Sequence, residues 1–309
     1  MTTDTRIFVP AEVPLQNEDV YLHNYRTITA GTGNLLLFAG DQKVEHLNDD
    51  FYGEGIDPAN ANPRHLFEIA SKAKIGAFAT QFGLISRYGK DYPTIPYVVK
   101  MNSKTHLIPT TQAESISRSW TNFTMIDNLM QASRLNIVGV GYTVYVGSEH
   151  ESIMYEEASR IAYEAHRRGM VAIFWMYPRG KAVPHEKDPH IIAGAAGVGA
   201  CLGADFVKVN YPEVPDGGNR AEALREAVEA AGRTRLICAG GAHTSAREYL
   251  QMLHDQMHIA KAHGTAAGRN IHQRSLDEAV RFCNALYAII IEGKSVDEAV
   301  QVFEAGQRG

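Results

Sequence analysis

Apolar residues in this chain come in short runs, separated by longer stretches in which apolar and polar positions recur every three or four residues. The first clear run is Asn34-Leu35-Leu36-Leu37-Phe38-Ala39-Gly40-Asp41. Others lie at 75–81, 96–101, 136–142, 171–177, 205–210 and 235–239, with a poorer one at 264–268. Runs of this length, rich in β-branched and aromatic residues, predict strands. The intervening segments 63–74, 112–134, 151–168, 191–202, 220–231 and 245–262 have the mixed faces of amphipathic helices. Near the C-terminus, Ser275 precedes Glu278 and Ser295 precedes Glu298, the spacing of a capping box at the start of a helix.

Eight strands alternating with helices, with no low-complexity linker, predict an α/β fold with a parallel sheet. A doubly wound sheet calls for a glycine-rich loop after its first strand, and Asp41-Gln42-Lys43-Val44 is not one. The reading is therefore a single-domain (β/α)8 TIM barrel. Residues 1–30 are polar and mixed, with Pro10 and Pro14 and one candidate helix at 18–28. They are expected to form an extension capping one barrel end, with residues 31–309 forming the barrel and the C-terminal helices. The stretch 42–62 reads as a long acidic loop, a candidate lid.

Composition narrows the picture without redirecting it. The 309 residues are 45% hydrophobic and 21% charged, as in an ordinary globular protein. A net charge of −5 argues against nucleic-acid binding through an overall basic surface. Cys201, Cys238 and Cys283 are far apart and form no C-x-x-C pair, which fits a reducing, cytoplasmic setting. The first residues lack the apolar core of a signal peptide, and no apolar run reaches the length of a membrane span. The thirteen histidines read as scattered, with no H-E-x-x-H pair. No metal and no cofactor is expected.

Barrel enzymes place their chemistry at the C-terminal ends of the strands. The most informative strand is Ala204-Asp205-Phe206-Val207-Lys208-Val209-Asn210, with a lysine in the middle of an apolar run. Burying an ammonium is costly, and a lysine neutralised by burial is an amine nucleophile that forms a Schiff base with a carbonyl. The alternative is a strand-end lysine reaching solvent. Lys100 is the rival amine, but its neighbours Asn102, Ser103 and Lys104 read as a solvated loop. Asp41 ends the first strand, where a carboxylate can manage protons or orient the lysine. Trp175 and Tyr177 share a face of the fifth strand, so a phenol for proton transfer stands beside an aromatic wall. The last two strands end in Gly240-Gly241 and Gly268-Arg269, backbone turns and a guanidinium suited to phosphate.

Taken in order and spacing, several motifs resemble those of one family. They are Gly40-Asp41-Gln42-Lys43-Val44-Glu45-His46, Tyr145-Val146-Gly147-Ser148-Glu149, Trp175-Met176-Tyr177-Pro178-Arg179-Gly180 and Gly203-Ala204-Asp205-Phe206-Val207-Lys208, with Gly240-Gly241 and Gly268-Arg269-Asn270. The chain is similar to the class I fructose-bisphosphate aldolases of the archaeal and bacterial DhnA type, from about residue 33 to residue 274. The resemblance implies metal-independent cleavage of fructose 1,6-bisphosphate to dihydroxyacetone phosphate and glyceraldehyde 3-phosphate, and the reverse condensation of glycolysis and gluconeogenesis. It implies Lys208 as the Schiff-base lysine, Asp41 and Tyr177 in proton transfer, and Trp175 and His46 at the substrate. Gly240, Gly241, Gly268 and Arg269 would hold phosphate, and the protein would be a homo-oligomer, by resemblance a decamer. The family commonly has a lysine soon after the paired glycines, whereas this chain has Ala242-His243-Thr244. Relatives with the same lysine run other carbon–carbon chemistry, so a related Schiff-base lyase, transaldolase-like enzyme or thiolase is the alternative.

Overall fold

The computed structural model describes residues 7–241 and 244–305, apart from the Asp216 side chain. Eight parallel strands close into a barrel in sequence order: β1 (Leu35–Ala39), β2 (Ala77–Gln81), β3 (Tyr97–Lys100), β4 (Ile137–Val146), β5 (Val171–Pro178), β6 (Phe206–Val209), β7 (Arg235–Ala239) and β8 (Gly264–Ala267). This is the (β/α)8 barrel expected from the sequence. Closure is made by β1 against β8, with Leu35 opposite Gly264 and Phe38 opposite Ala267. Most strand residues are buried on both faces, which is why the strands read as continuous apolar runs and not as alternating ones.

The outer helices follow the amphipathic segments, with one substantial difference. The helix expected over 112–134 begins only at Phe123, where the Asn122 side chain accepts from Met125 N at 3.0 Å. Residues 101–122 form a loop instead. Its serines bond to backbone: Ser117 Oγ donates to Ser103 O at 2.7 Å, and Ser119 Oγ donates to Thr121 O at 2.5 Å. The Ser119 bond is local and competes with a helical turn, while the Ser117 bond ties two distant parts of the loop together. The acidic stretch 42–62 is also more ordered than a plain loop. It holds a helical turn (Gln42–Glu45) and a 3-10 turn (Pro58–Ala61), and Phe51 stacks on His272 at 4.8 Å.

The two C-terminal helices start where their caps predict. Ser295 and Glu298 complete a capping box. Ser275 caps its helix, but Glu278 pairs with Arg274 and does not close the box.

At the barrel end away from the strand C-termini, the helix Glu18–Thr29 buries Tyr21, Tyr25 and Ile28, one stripe at helical spacing. Asn24 Nδ2 donates to Gly169 O at 2.8 Å, fixing the helix below β5. A buried polar cluster completes this end. Asp205 accepts from Tyr21 Oη at 2.5 Å and from Ala172 N at 2.7 Å, and lies 3.0 Å from His166 Nε2. The other nitrogen of His166 meets Glu12 Oε1 at 2.7 Å, so one imidazole ties the N-terminal segment to the barrel. Burial would lower the His166 pKa, but Asp205 and Glu12 outweigh it and raise the pKa to about 9.

Candidate active site

The strand C-termini open into a cavity of about 480 Å³. Every residue singled out from the sequence as catalytic or substrate-binding lines it, from Asp41 and His46 after β1 to Gly268 and Arg269 after β8.

Lys208 projects from β6, in register with Trp175 on one side and Ile237 on the other. It is 5% exposed and makes no hydrogen bond or ion pair among the described residues. Burial drives its pKa below the ordinary lysine value, against the opposing pull of Asp41 and Glu45. Its Nζ lies 5.1 Å from the Trp175 ring centroid. A buried amine with no hydrogen bond or ion pair, facing a cavity, has the setting of a nucleophile rather than of a structural cation.

Lys100 is equally buried but differently held. Its Nζ donates to the carbonyl oxygen of Asn102, and at 3.1 Å to Asn102 Oδ1. Asn102 is itself buried and bonds to Ser117 O and to the backbone of Thr143. The expectation of a solvated loop beside Lys100 is therefore wrong. Its polar residues form a buried hydrogen-bond knot, invisible to a reading that equates polar with exposed. Lys100 does not line the cavity.

Tyr177 on β5 stands beside Tyr145 on β4, because both strands run on into the mouth. Burial, with Glu45 and Asp41 nearby, raises the Tyr177 pKa well above that of a free phenol. Arg179 stacks over both rings, 5.4 Å from Tyr145 and 5.7 Å from Tyr177. It is gripped by Glu45 at 3.1 Å and by both oxygens of Glu186 at 3.1 Å. Burial would raise the Glu45 pKa, but Arg179, with smaller help from His46 and Lys100, holds it below the ordinary value.

The opposite wall is backbone. Gly241 has a φ of +69°, a conformation glycine adopts without strain. At Gly268 a Cβ would lie 2.0 Å from Gln42 Nε2 and 2.7 Å from Ala39 O, so only glycine fits. Asn270 stitches the two turns together, donating to Gly240 O at 3.2 Å and accepting from Thr244 N at 3.0 Å. Arg269 Nε is 3.7 Å from Asp50 Oδ2, and His46 Nδ1 is 3.4 Å from the same oxygen. Ala242 and His243 lie outside the described residues. Three buried polar atoms of cavity-lining residues, Asp41 Oδ1, Gln42 Oε1 and Trp175 Nε1, have no hydrogen-bond partner among the described residues.

Sequence reasoning missed several lining residues. Lys104 and His106 come from the part of the 101–122 loop that read as solvated, and His106 reaches Glu45 O at 2.6 Å through Nδ1. Glu45, Arg179 and Glu186 gave no signal because ion pairs across loops have no fixed spacing. One helical histidine pair also escaped that reading. His254 and His258 stand one turn apart on the helix Ala246–His258, their ring centroids 4.0 Å apart. Among the described residues, no three His, Cys, Asp or Glu side chains group so as to hold a metal ion.

Comparison with known proteins decides the family. Residues 35–274 match the model of the DeoC/LacD family aldolases. The chain belongs to this aldolase family. It is 58% identical over 295 residues to the fructose-bisphosphate aldolase/6-deoxy-5-ketofructose 1-phosphate synthase of Methanocaldococcus jannaschii, covering 96% of this chain and 94% of that one. Among solved structures, the fructose-bisphosphate aldolase from Slackia heliotrinireducens superposes with a TM-score of 0.95 at 50% identity, covering 99% and 96% of the two chains. An archaeal fructose-1,6-bisphosphate aldolase, described with its catalytic lysine covalently bound to the carbinolamine intermediate of the substrate, gives a TM-score of 0.74. It is 29% identical, over 88% of this chain and 99% of that one. The aldolase barrel described above is thus shared over nearly its whole length.

Proposed function

We propose that this protein is a class I aldolase that cleaves fructose 1,6-bisphosphate into dihydroxyacetone phosphate and glyceraldehyde 3-phosphate, and condenses them in reverse, through an imine on Lys208. The observation that carries the reading is the buried Lys208 amine, without a hydrogen bond or ion pair among the described residues, facing a cavity whose wall carries the two glycine turns.

The free amine adds to the ketone carbon, and loss of water leaves an iminium. That cation accepts the electron pair released when the bond between the third and fourth carbons breaks. Asp41, on the cavity wall and near enough to Lys208 to favour its ammonium, receives and returns protons during addition and dehydration. Tyr177, kept protonated by burial and by the nearby carboxylates, donates a proton to the aldehyde oxygen in condensation. In cleavage it takes that proton back, helped by the positive iminium, which favours ionised acids around it. Trp175 and His46 border the sugar. Gly240, Gly241, Gly268 and Arg269 hold a phosphate by backbone N–H groups and a guanidinium.

Borohydride reduction in the presence of dihydroxyacetone phosphate, followed by peptide mass spectrometry, tests this. An adduct on Lys208, with cleavage that persists in EDTA and is absent from Lys208→Met, is the expected result. An adduct elsewhere, or none from folded protein, refutes it. The double name of the Methanocaldococcus jannaschii relative favours a second activity in the same site, transfer onto another aldehyde acceptor, which product analysis with unphosphorylated aldehydes would reveal. The enzyme is also read as a cytoplasmic homo-oligomer, the oligomer on family resemblance alone. Light scattering in solution tests the assembly, and a monomer would overturn it.

A further inference from the structure

Lys100 and Lys208 share one ring. Each Nζ lies 5.1 Å from the Trp175 ring centroid, so the two amines are no more than twice that distance apart. The arrangement depends on a gap in β4. Lys100 is in register with Gly141, where a Cβ would lie 2.6 Å from Trp175 Cζ3 and 3.2 Å from Lys100 Cδ. The missing side chain lets an indole from β5 lean across β4 onto a lysine from β3. Lys100 cannot swing toward the cavity without giving up both bonds to Asn102, which three further hydrogen bonds fix in place.

We propose that Lys100 is a positioning residue for the Lys208 amine: it clamps Trp175 in the cavity wall and sets a second positive charge beside Lys208, favouring the free-base form that attacks the carbonyl. This rests on the Lys208 imine proposed above. The role differs from that of the nucleophile because the Lys100 head group is saturated by Asn102 and lies outside the cavity, whereas that of Lys208 is bare and inside it.

The electrostatics agree. Burial brings the Lys100 pKa down to about 8, with the Lys208 charge adding to the fall and Asp41 and Glu45 opposing it. Coupling between two sites is mutual, so a charged Lys100 disfavours a charged Lys208. The groups facing Lys208 from the other elements are Asp41 and Glu45 after β1, which favour its ammonium, and Arg269 after β8, which disfavours it. Like charges about 10 Å apart, at an effective dielectric of about 20, move one another by roughly one pKa unit.

The test compares the pH dependence of borohydride trapping on Lys208 in the unaltered protein, Lys100→Gln and Lys100→Arg, each checked for fold by circular dichroism. The acid limb of trapping is expected to move upward by about one pKa unit in Lys100→Gln, roughly a tenfold loss of adduct below the limb. It is expected to return toward its original position in Lys100→Arg, which restores the charge. Superimposable limbs for the unaltered protein and Lys100→Gln overturn the inference while leaving the imine intact. No adduct on Lys208 in the unaltered protein refutes the imine itself. Should both variants fail to fold, Trp120→Phe leaves Trp175 as the sole indole, since the chain has two tryptophans. Two coupled steps in the pH titration of its emission support the inference, and a single step at the ordinary lysine pKa overturns it.

Discussion

The imidazole of His166 makes the stability of this barrel fall as the solution becomes alkaline. Its pKa in the folded protein is about 9, against an ordinary value of 6.5. A group whose pKa is raised by folding binds its proton more tightly in the native state. Its contribution is therefore fully present below pH 6.5 and is lost as pH rises through about 9. At about 1.36 kcal/mol per pKa unit, the difference is worth about 3 kcal/mol. The ring is 1% exposed, so solvent screening removes little of it. Against a typical domain stability of about 5–15 kcal/mol this is a large share. The assay is urea unfolding across a pH series from about 6 to about 10, for the unaltered protein and for His166→Gln, which keeps a hydrogen-bonding side chain and cannot be protonated. Other groups titrate in the same range, so the quantity to read is the stability difference between the two proteins at each pH. That difference should be largest near pH 6 and shrink by about 3 kcal/mol by pH 10. A difference that stays constant with pH would show that folding does not raise the His166 pKa, and the reasoning from Asp205 and Glu12 would fail.

Tyr177→Phe should lower kcat by about 10²–10⁴-fold, the usual worth of a positioned acid–base group, while leaving borohydride trapping on Lys208 intact; loss of trapping would assign the phenol to imine formation instead. Arg269→Leu should raise KM for phosphorylated substrates with a smaller effect on kcat, and an unchanged KM would remove the phosphate from that wall. Gly268→Ala forces a methyl into Gln42 and the carbonyl of Ala39, so it should cost about 1–3 kcal/mol of stability in urea unfolding as well as phosphate affinity. Ser295→Ala, which opens the capping box of the last helix, should cost about 1 kcal/mol and leave kcat/KM unchanged, separating that helix from the chemistry.

The barrel was legible because parallel strands buried on both faces leave continuous apolar runs, and these recur eight times in alternation with helical segments. The cavity lining was legible where a residue violated that pattern: Lys208 in an apolar strand, Trp175 and Tyr177 on one face, glycines at the ends of the last two strands. What escaped was whatever depends on contacts between loops. Arg179 is positioned by Glu45 and Glu186 from two different loops, and no local pattern encodes such a meeting. The 101–122 loop misled for a physical reason. Its second half read as the start of a helix, yet Ser117 and Ser119 donate their hydroxyls to carbonyls of the loop itself. Lys100 was misjudged in the same way, since Asn102 looks solvated in sequence and is buried in the fold.

Closure of β1 on β8 has a consequence for how the protein is made. The first strand finds its second partner only in residues 264–267, so nearly the whole chain must leave the ribosome before the ring can shut. Until then Lys208 sits on a hydrated segment, where an amine keeps the ordinary lysine pKa and is mostly ammonium at neutral pH. On the imine proposed above, its nucleophilicity is supplied by the finished barrel, whose last strand also brings the Gly268 turn. The reactive amine is then switched on by the act of folding.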